Sequence, residues 1–64
     1  MKNKRWSAKE IKALRGAMYL TQTDFASRLG VTQNYVYLLE AGRKTPSETL
    51  KLLLDYVERY KGQK

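Results

Sequence analysis

The sequence predicts an all-α domain of four helices, at most five, and three observations carry that reading. Apolar residues recur at helical spacing, with no sustained apolar/polar alternation and no Asn-Gly or Asp-Gly hairpin signal. Each apolar stretch is introduced by a serine or threonine suited to capping a helix, and Gly30 and Gly42 stand where helices should stop. With 64 residues, 42% of them hydrophobic, the chain can bury one small core but not wrap a substrate cavity.

The first helix is expected near residues 7–18. Ser7-Ala8-Lys9-Glu10 has the form of a capping box, in which the serine hydroxyl and the glutamate carboxylate each accept a backbone N–H. Ile11, Leu14 and Met18 follow at helical spacing. Gly16 inside this helix costs up to ~1 kcal/mol relative to alanine, so close packing by another helix is the expected reason for it. Thr21 opens a second helix, with Asp24 near the positive end of its dipole and Phe25, Ala26 and Leu29 as a buried stripe. Gly30 supplies the left-handed residue that ends it. After Val31, Thr32 caps a third helix, about 32–41, with Val36 and Leu39 facing inward and Gly42 as its stop.

Arg43-Lys44 then form a basic loop. Two caps suit the fourth helix: Thr45, with Pro46 and Glu48 at its first and third positions, or Ser47. This helix is expected to reach about Lys61. Leu50, Leu53, Leu54, Val57 and Tyr60 share the arc assigned to the core. Leu52 and Tyr56, four apart, lie on a second stripe, either the edge of a wide core face or a candidate dimer interface. The whole chain, 1–64, reads as one domain. Residues 1–6 are expected as a flexible basic arm, with Trp6 as a hydrophobic anchor of the entry strand, core rather than base-stacking, and 62–64 as a loose tail.

Composition removes several function classes. The chain has no cysteine and no histidine, which excludes disulfides, Cys/His metal sites and any chemistry that needs imidazole or thiolate. Six acidic residues, several already assigned to caps, leave no convergent pocket to argue for, so no enzyme, cofactor, metal or small-molecule ligand is expected. The longest apolar run, Tyr35 to Leu39, is far short of the roughly 18 residues of a membrane span. Lys2-Asn3-Lys4-Arg5 precedes no apolar segment and does not read as a secretory signal. A cytoplasmic protein is expected. The net charge of +7 and pI near 9.9 are a strong field for so short a chain, and they point to an anionic partner.

Two short helices joined by a tight glycine-containing turn have a mechanical use: the second can enter the DNA major groove, about 12 Å wide, while the first crosses the backbone. The segment from Gln22 to Ala41 has that spacing throughout. Leu20-Thr21-Gln22-Thr23-Asp24-Phe25-Ala26-Ser27-Arg28-Leu29-Gly30-Val31-Thr32-Gln33 resembles the helix-turn-helix of the lambdoid phage repressor/Cro family, also called the XRE family. Glu40-Ala41-Gly42-Arg43-Lys44-Thr45-Pro46-Ser47 is similar to that family's E-x-G-x-x-x-P-S segment. The likeness covers roughly residues 10–57.

The resemblance implies a lambda-repressor-like fold and a role for each of several residues. Gln22 matches a glutamine that binds a phosphate and braces the recognition helix. Gln33 and Asn34 stand where that helix meets base edges, and their amides can donate and accept together, as adenine requires. Tyr37 and Leu38 complete the expected base contacts. Leu38 departs from the family, many members of which carry Gln or Arg there; an aliphatic chain can meet a thymine methyl but cannot reject a base by hydrogen bonding. Thr32, Tyr35, Arg43, Lys44 and Arg28 are the expected backbone contacts, with helix packing as the rival role for Tyr35 and Tyr37. Arg15 and Glu40 are expected as a structural ion pair. Lys2, Lys4 and Arg5 read equally as an arm that orders on DNA and as a solvated tail.

The implied function is a sequence-specific, double-stranded DNA-binding regulator, a repressor acting as a homodimer on a palindromic operator and associated with the nucleoid through DNA. Its recognition helices would sit about 34–36 Å apart. The rival is a protein-interaction module, or an antitoxin or co-regulator that keeps the fold with weak or partner-dependent DNA binding. Non-specific attachment to nucleic acid or a membrane surface accounts for the charge but leaves the helix-turn-helix spacing without a purpose.

Overall fold

The structure, a computed structural model, describes residues 6–60. Four helices follow one another, with no strand among the described residues: α1 (Ala8–Ala17), α2 (Gln22–Leu29), α3 (Gln33–Glu40) and α4 (Glu48–Tyr60). Each begins at a hydroxyl cap. Ser7 Oγ accepts from the Glu10 N–H at 3.3 Å while the Glu10 carboxylate accepts from the Ser7 N–H at 2.9 Å, closing the capping box. Thr21 accepts from Asp24 and Thr32 from Tyr35, both at 3.1 Å. Ser47 caps α4, accepting from the Leu50 N–H at 3.1 Å. That decides between the two caps, because Pro46 is buried ahead of the helix rather than opening it.

The first three helices stop by one device. Each ends in a pair of reversed backbone hydrogen bonds around a left-handed residue: Tyr19 to Gly16 and Leu20 to Arg15 after α1, Gly30 to Ser27 and Val31 to Ala26 after α2, Gly42 to Leu39 and Arg43 to Leu38 after α3. The left-handed residues have φ of 57° (Tyr19), 75° (Gly30) and 77° (Gly42). Glycine adopts this conformation without steric cost, whereas a tyrosine brings its Cβ against the carbonyl. The α1–α2 turn therefore stores strain that the other two turns lack.

Trp6, Ile11, Leu14, Phe25, Ala26, Leu29, Val36, Leu39, Leu50 and Leu54 form one core that draws on all four helices. Met18, Leu20, Val31, Tyr35, Leu53 and Val57 pack around it half-buried. Trp6 is 1% exposed, and its indole N–H donates to Asp55 Oδ1 at 2.7 Å across 49 positions of sequence. Trp6 thus belongs to the core, as its expected role of anchoring the entry strand requires, because a large ring with one polar edge finds both burial and a carboxylate against α4. The arm cations Lys2, Lys4 and Arg5, the tail, and the expected end at Lys61 lie outside the described residues.

Two expectations are corrected. Gly16 is exposed, and among the described residues a Cβ there would meet nothing within 4 Å, so none of the described helices packs close to it. Tyr60 is 46% exposed rather than core. It falls at the edge of the α4 arc, and its ring rests on Tyr56 with centroids 4.7 Å apart and an interplanar angle of 49°.

Candidate nucleic-acid interface

Only Val31 and the Thr32 cap lie between the Gly30 stop and the start of α3, so the elbow leaves α3 little freedom to rotate relative to α2. Val36 and Leu39 bury one side of α3, and Val31 packs half-buried beside them. At eight residues α3 is about 12 Å long. Its outer side presents Gln33, Asn34 and Tyr37, all exposed, while Leu38 is half-buried. Tyr35 is half-buried against the core and leaves only part of its ring at the surface.

A chain of polar contacts runs behind this face. Gln33 Nε2 donates to Gln22 Oε1 at 2.7 Å, and Gln22 Nε2 donates to Glu40 Oε1 at 3.1 Å. Arg15 closes the chain with a two-pronged grip on Glu40, Nε to Oε2 at 2.7 Å and Nη2 to Oε1 at 3.0 Å. A third Arg15 nitrogen, Nη1, donates to the Leu20 carbonyl at 3.0 Å, tying the same side chain to the α1–α2 turn. The two ends of α3 are thus linked to each other through α2 and to α1 through one guanidinium. Gln33 keeps its Oε1 and one N–H for an outside partner.

The electrostatics fit that reading. Burial pushes the Glu40 carboxyl up, but hydrogen bonds from Arg15 and Gln22 and the charges of Arg15 and Lys12 outweigh it, so its pKa lies below the ordinary carboxylate value. The hydrogen bond to Glu40 raises Arg15, partly offset by desolvation. With side-chain exposures of 20% for Arg15 and 5% for Glu40, the pair is sheltered enough to fix geometry.

Around this centre the surface is cationic. Arg43 and Lys44 are exposed in the loop after α3 and line a shallow groove with Gly42 and Thr45. Thr32 is exposed at the other end of α3, its hydroxyl engaged as the cap. Arg28 lines a different groove, with Leu20, Asp24 and Ser27, and the structure does not bring it to the Gln22–Gln33 pair. Lys12 was not singled out in the sequence. It lines a groove with Arg15, Gln22, Tyr37, Glu40 and Ala41, and its charge acts on Glu40. Its position three residues before Arg15, on the same side of α1, was the available signal.

Leu52 (70% exposed) and Tyr56 (60%) lie on the outer side of α4 and are not the edge of the core. Among the described residues no group of His, Cys, Asp and Glu gathers to hold a metal ion, and no helix is long and apolar enough to cross a membrane. A braced helix with amides at its exposed start and cations at its end can hydrogen-bond base edges and neutralise phosphates together. Compared with known proteins, residues 11–58, three quarters of the chain, match the model of a helix-turn-helix family. No curated protein and no solved structure matches the chain.

Proposed function

The chain belongs to the XRE-type helix-turn-helix family of DNA-binding regulators, and on that premise we propose that it is a repressor that reads a palindromic operator as a homodimer. In this reading α3 lies in the major groove. Gln33 and Asn34 bind base edges, and Tyr37 and Leu38 meet thymine methyls. Gln22, Thr32, Tyr35, Arg43 and Lys44 hold the phosphates, with Arg28 farther out on α2. Arg15 and Glu40 set the angle of α3 without reading a base. The observation that supports this most strongly is the Gln33–Gln22–Glu40–Arg15 chain, which fixes the amide at the start of α3 before any partner arrives. Such fixing lowers the ordering cost of recognition.

The test is selection of binding sites from a random duplex pool at about 0.15 M salt. An enriched inverted repeat supports a dimeric reader. Weak retention without a pattern, lost as salt rises, would reduce the role to phosphate attraction and overturn the repressor reading.

A further inference from the structure

None of the residues assigned to DNA lies on the outer face of α4, and the residues of that face form a pattern that is complementary to itself. At about 100° per residue, Glu48, Thr49, Leu52, Tyr56 and Arg59 fall on a single arc of α4, and all five are exposed. Leu52 and Tyr56 form its apolar centre, at 70% and 60% exposure, and Tyr60 leans on Tyr56 to widen it. The spacing 49, 52, 56, 59 alternates three and four, which keeps a seam on one side of a helix facing a second helix.

The charges at the two ends of the seam differ in sign: Glu48 near the start of α4, Arg59 near its end. Among the described residues Glu48 is engaged by Lys51 alone, at 3.4 Å and with 90% of its own side chain exposed, so it is open to a stronger partner. Charge also sets this face apart from the rest of the molecule. The chain carries +7, yet the two charged residues on this arc, Glu48 and Arg59, cancel. A polyanion gains nothing there, and a second copy, repelled by every strongly cationic surface, meets least repulsion there.

We propose that α4 is the surface on which two copies of this chain pair, with the two α4 helices antiparallel about a two-fold axis beside residue 54. Leu52 of one copy packs on Tyr56 of its partner, and Glu48 meets Arg59 of the partner subunit at both ends. A parallel pair would instead set Glu48 against its own copy and Arg59 against its own copy. The apolar centre is small compared with the ~800 Å² per partner of a standard interface, so the free dimer is weak and tightens when both copies share one duplex. This proposal rests on the homodimer of the preceding section and supplies its surface and polarity.

Sedimentation equilibrium of the full chain without DNA, from micromolar to millimolar, tests it. The wild type is expected to self-associate reversibly, and Leu52→Glu to abolish association while the helical circular dichroism is unchanged. Glu48→Arg and Arg59→Glu each weaken association by about fivefold or more, since each places two like charges at both ends. The double variant E48R/R59E restores it. A wild type that stays monomeric at millimolar concentration, or a double variant no stronger than either single one, overturns the antiparallel pair. No DNA enters this measurement, so its failure and the failure of site selection are separate results.

Discussion

On the face built by α2 and α3, position is set by directional polar contacts: Gln33 on Gln22, Gln22 on Glu40, and both prongs of Arg15 on Glu40. Against α4, position is set by burial, with Trp6 sunk into the core and one indole hydrogen bond to Asp55. Burial is worth more free energy but leaves a side chain free to shift by a fraction of an ångström, whereas a hydrogen-bonded fork fixes angle and register. The molecule uses the first where it needs stability and the second where a side chain must be presented in one orientation.

The largest effect should come from the buried side. Trp6→Ala is expected to cost about 3–5 kcal/mol, comparable with the whole stability of so small a domain. Its circular dichroism should show an unfolded chain at 25 °C. A cooperative melt near that of the wild type would contradict the anchoring role.

The polar side should respond differently. Arg15→Met leaves Glu40 short of its strongest partner and is expected to cost about 2 kcal/mol, while the preferred DNA sequence is unchanged. A new base preference would refute a purely structural role. The same variant should alter the acid limb of stability. The folded pKa of Glu40 lies below its unfolded value, so its contribution is present above the ordinary carboxylate range and is lost as pH falls through the folded value. In Arg15→Met that loss should be smaller, which denaturant titrations between neutral and acid pH would measure.

Much of this was legible in the sequence because it is local. Hydroxyl caps three residues before an N–H, and glycines just beyond an apolar stripe, announce helix ends without knowledge of the fold, and Ser7, Thr21, Thr32 and Gly30 all act where expected. The partners of side chains were not legible unless they fell within one helix or a family motif. Trp6 and Asp55 are 49 positions apart, and nothing in either neighbourhood marks the pairing. Gln22 was expected to brace the recognition helix, but Gln33 looked available for DNA alone, and only the structure shows that the two bind each other. Tyr19 escaped notice because the usual sign of a left-handed helix stop is a glycine, and here the hydrogen bonds form around a tyrosine.

The smallest effects belong to that turn and to the end of the helix before it, and should be gains. Tyr19→Gly removes a left-handed β-carbon from a residue that is 95% exposed, for an expected gain of about 1 kcal/mol. Gly16→Ala fills open space on an exposed helix and should add up to about 1 kcal/mol. Thermal melts would show both, with DNA affinity unchanged. A loss of DNA affinity in Tyr19→Gly would mean that the strained turn takes part in binding.

The most direct test of the central claim, that a braced α3 reads bases while the loop after it holds phosphates, is site selection repeated on two variants. Gln33→Ala/Asn34→Ala should lose the preferred base at one or two positions of each half-site, at roughly 1–3 kcal/mol per contact. Arg43→Ala/Lys44→Ala should keep the same pattern, bind about 30-fold more weakly at 0.15 M salt, and show a salt slope lower by about four, two contacts in each of two copies. An unchanged sequence pattern in the amide variant would contradict the account.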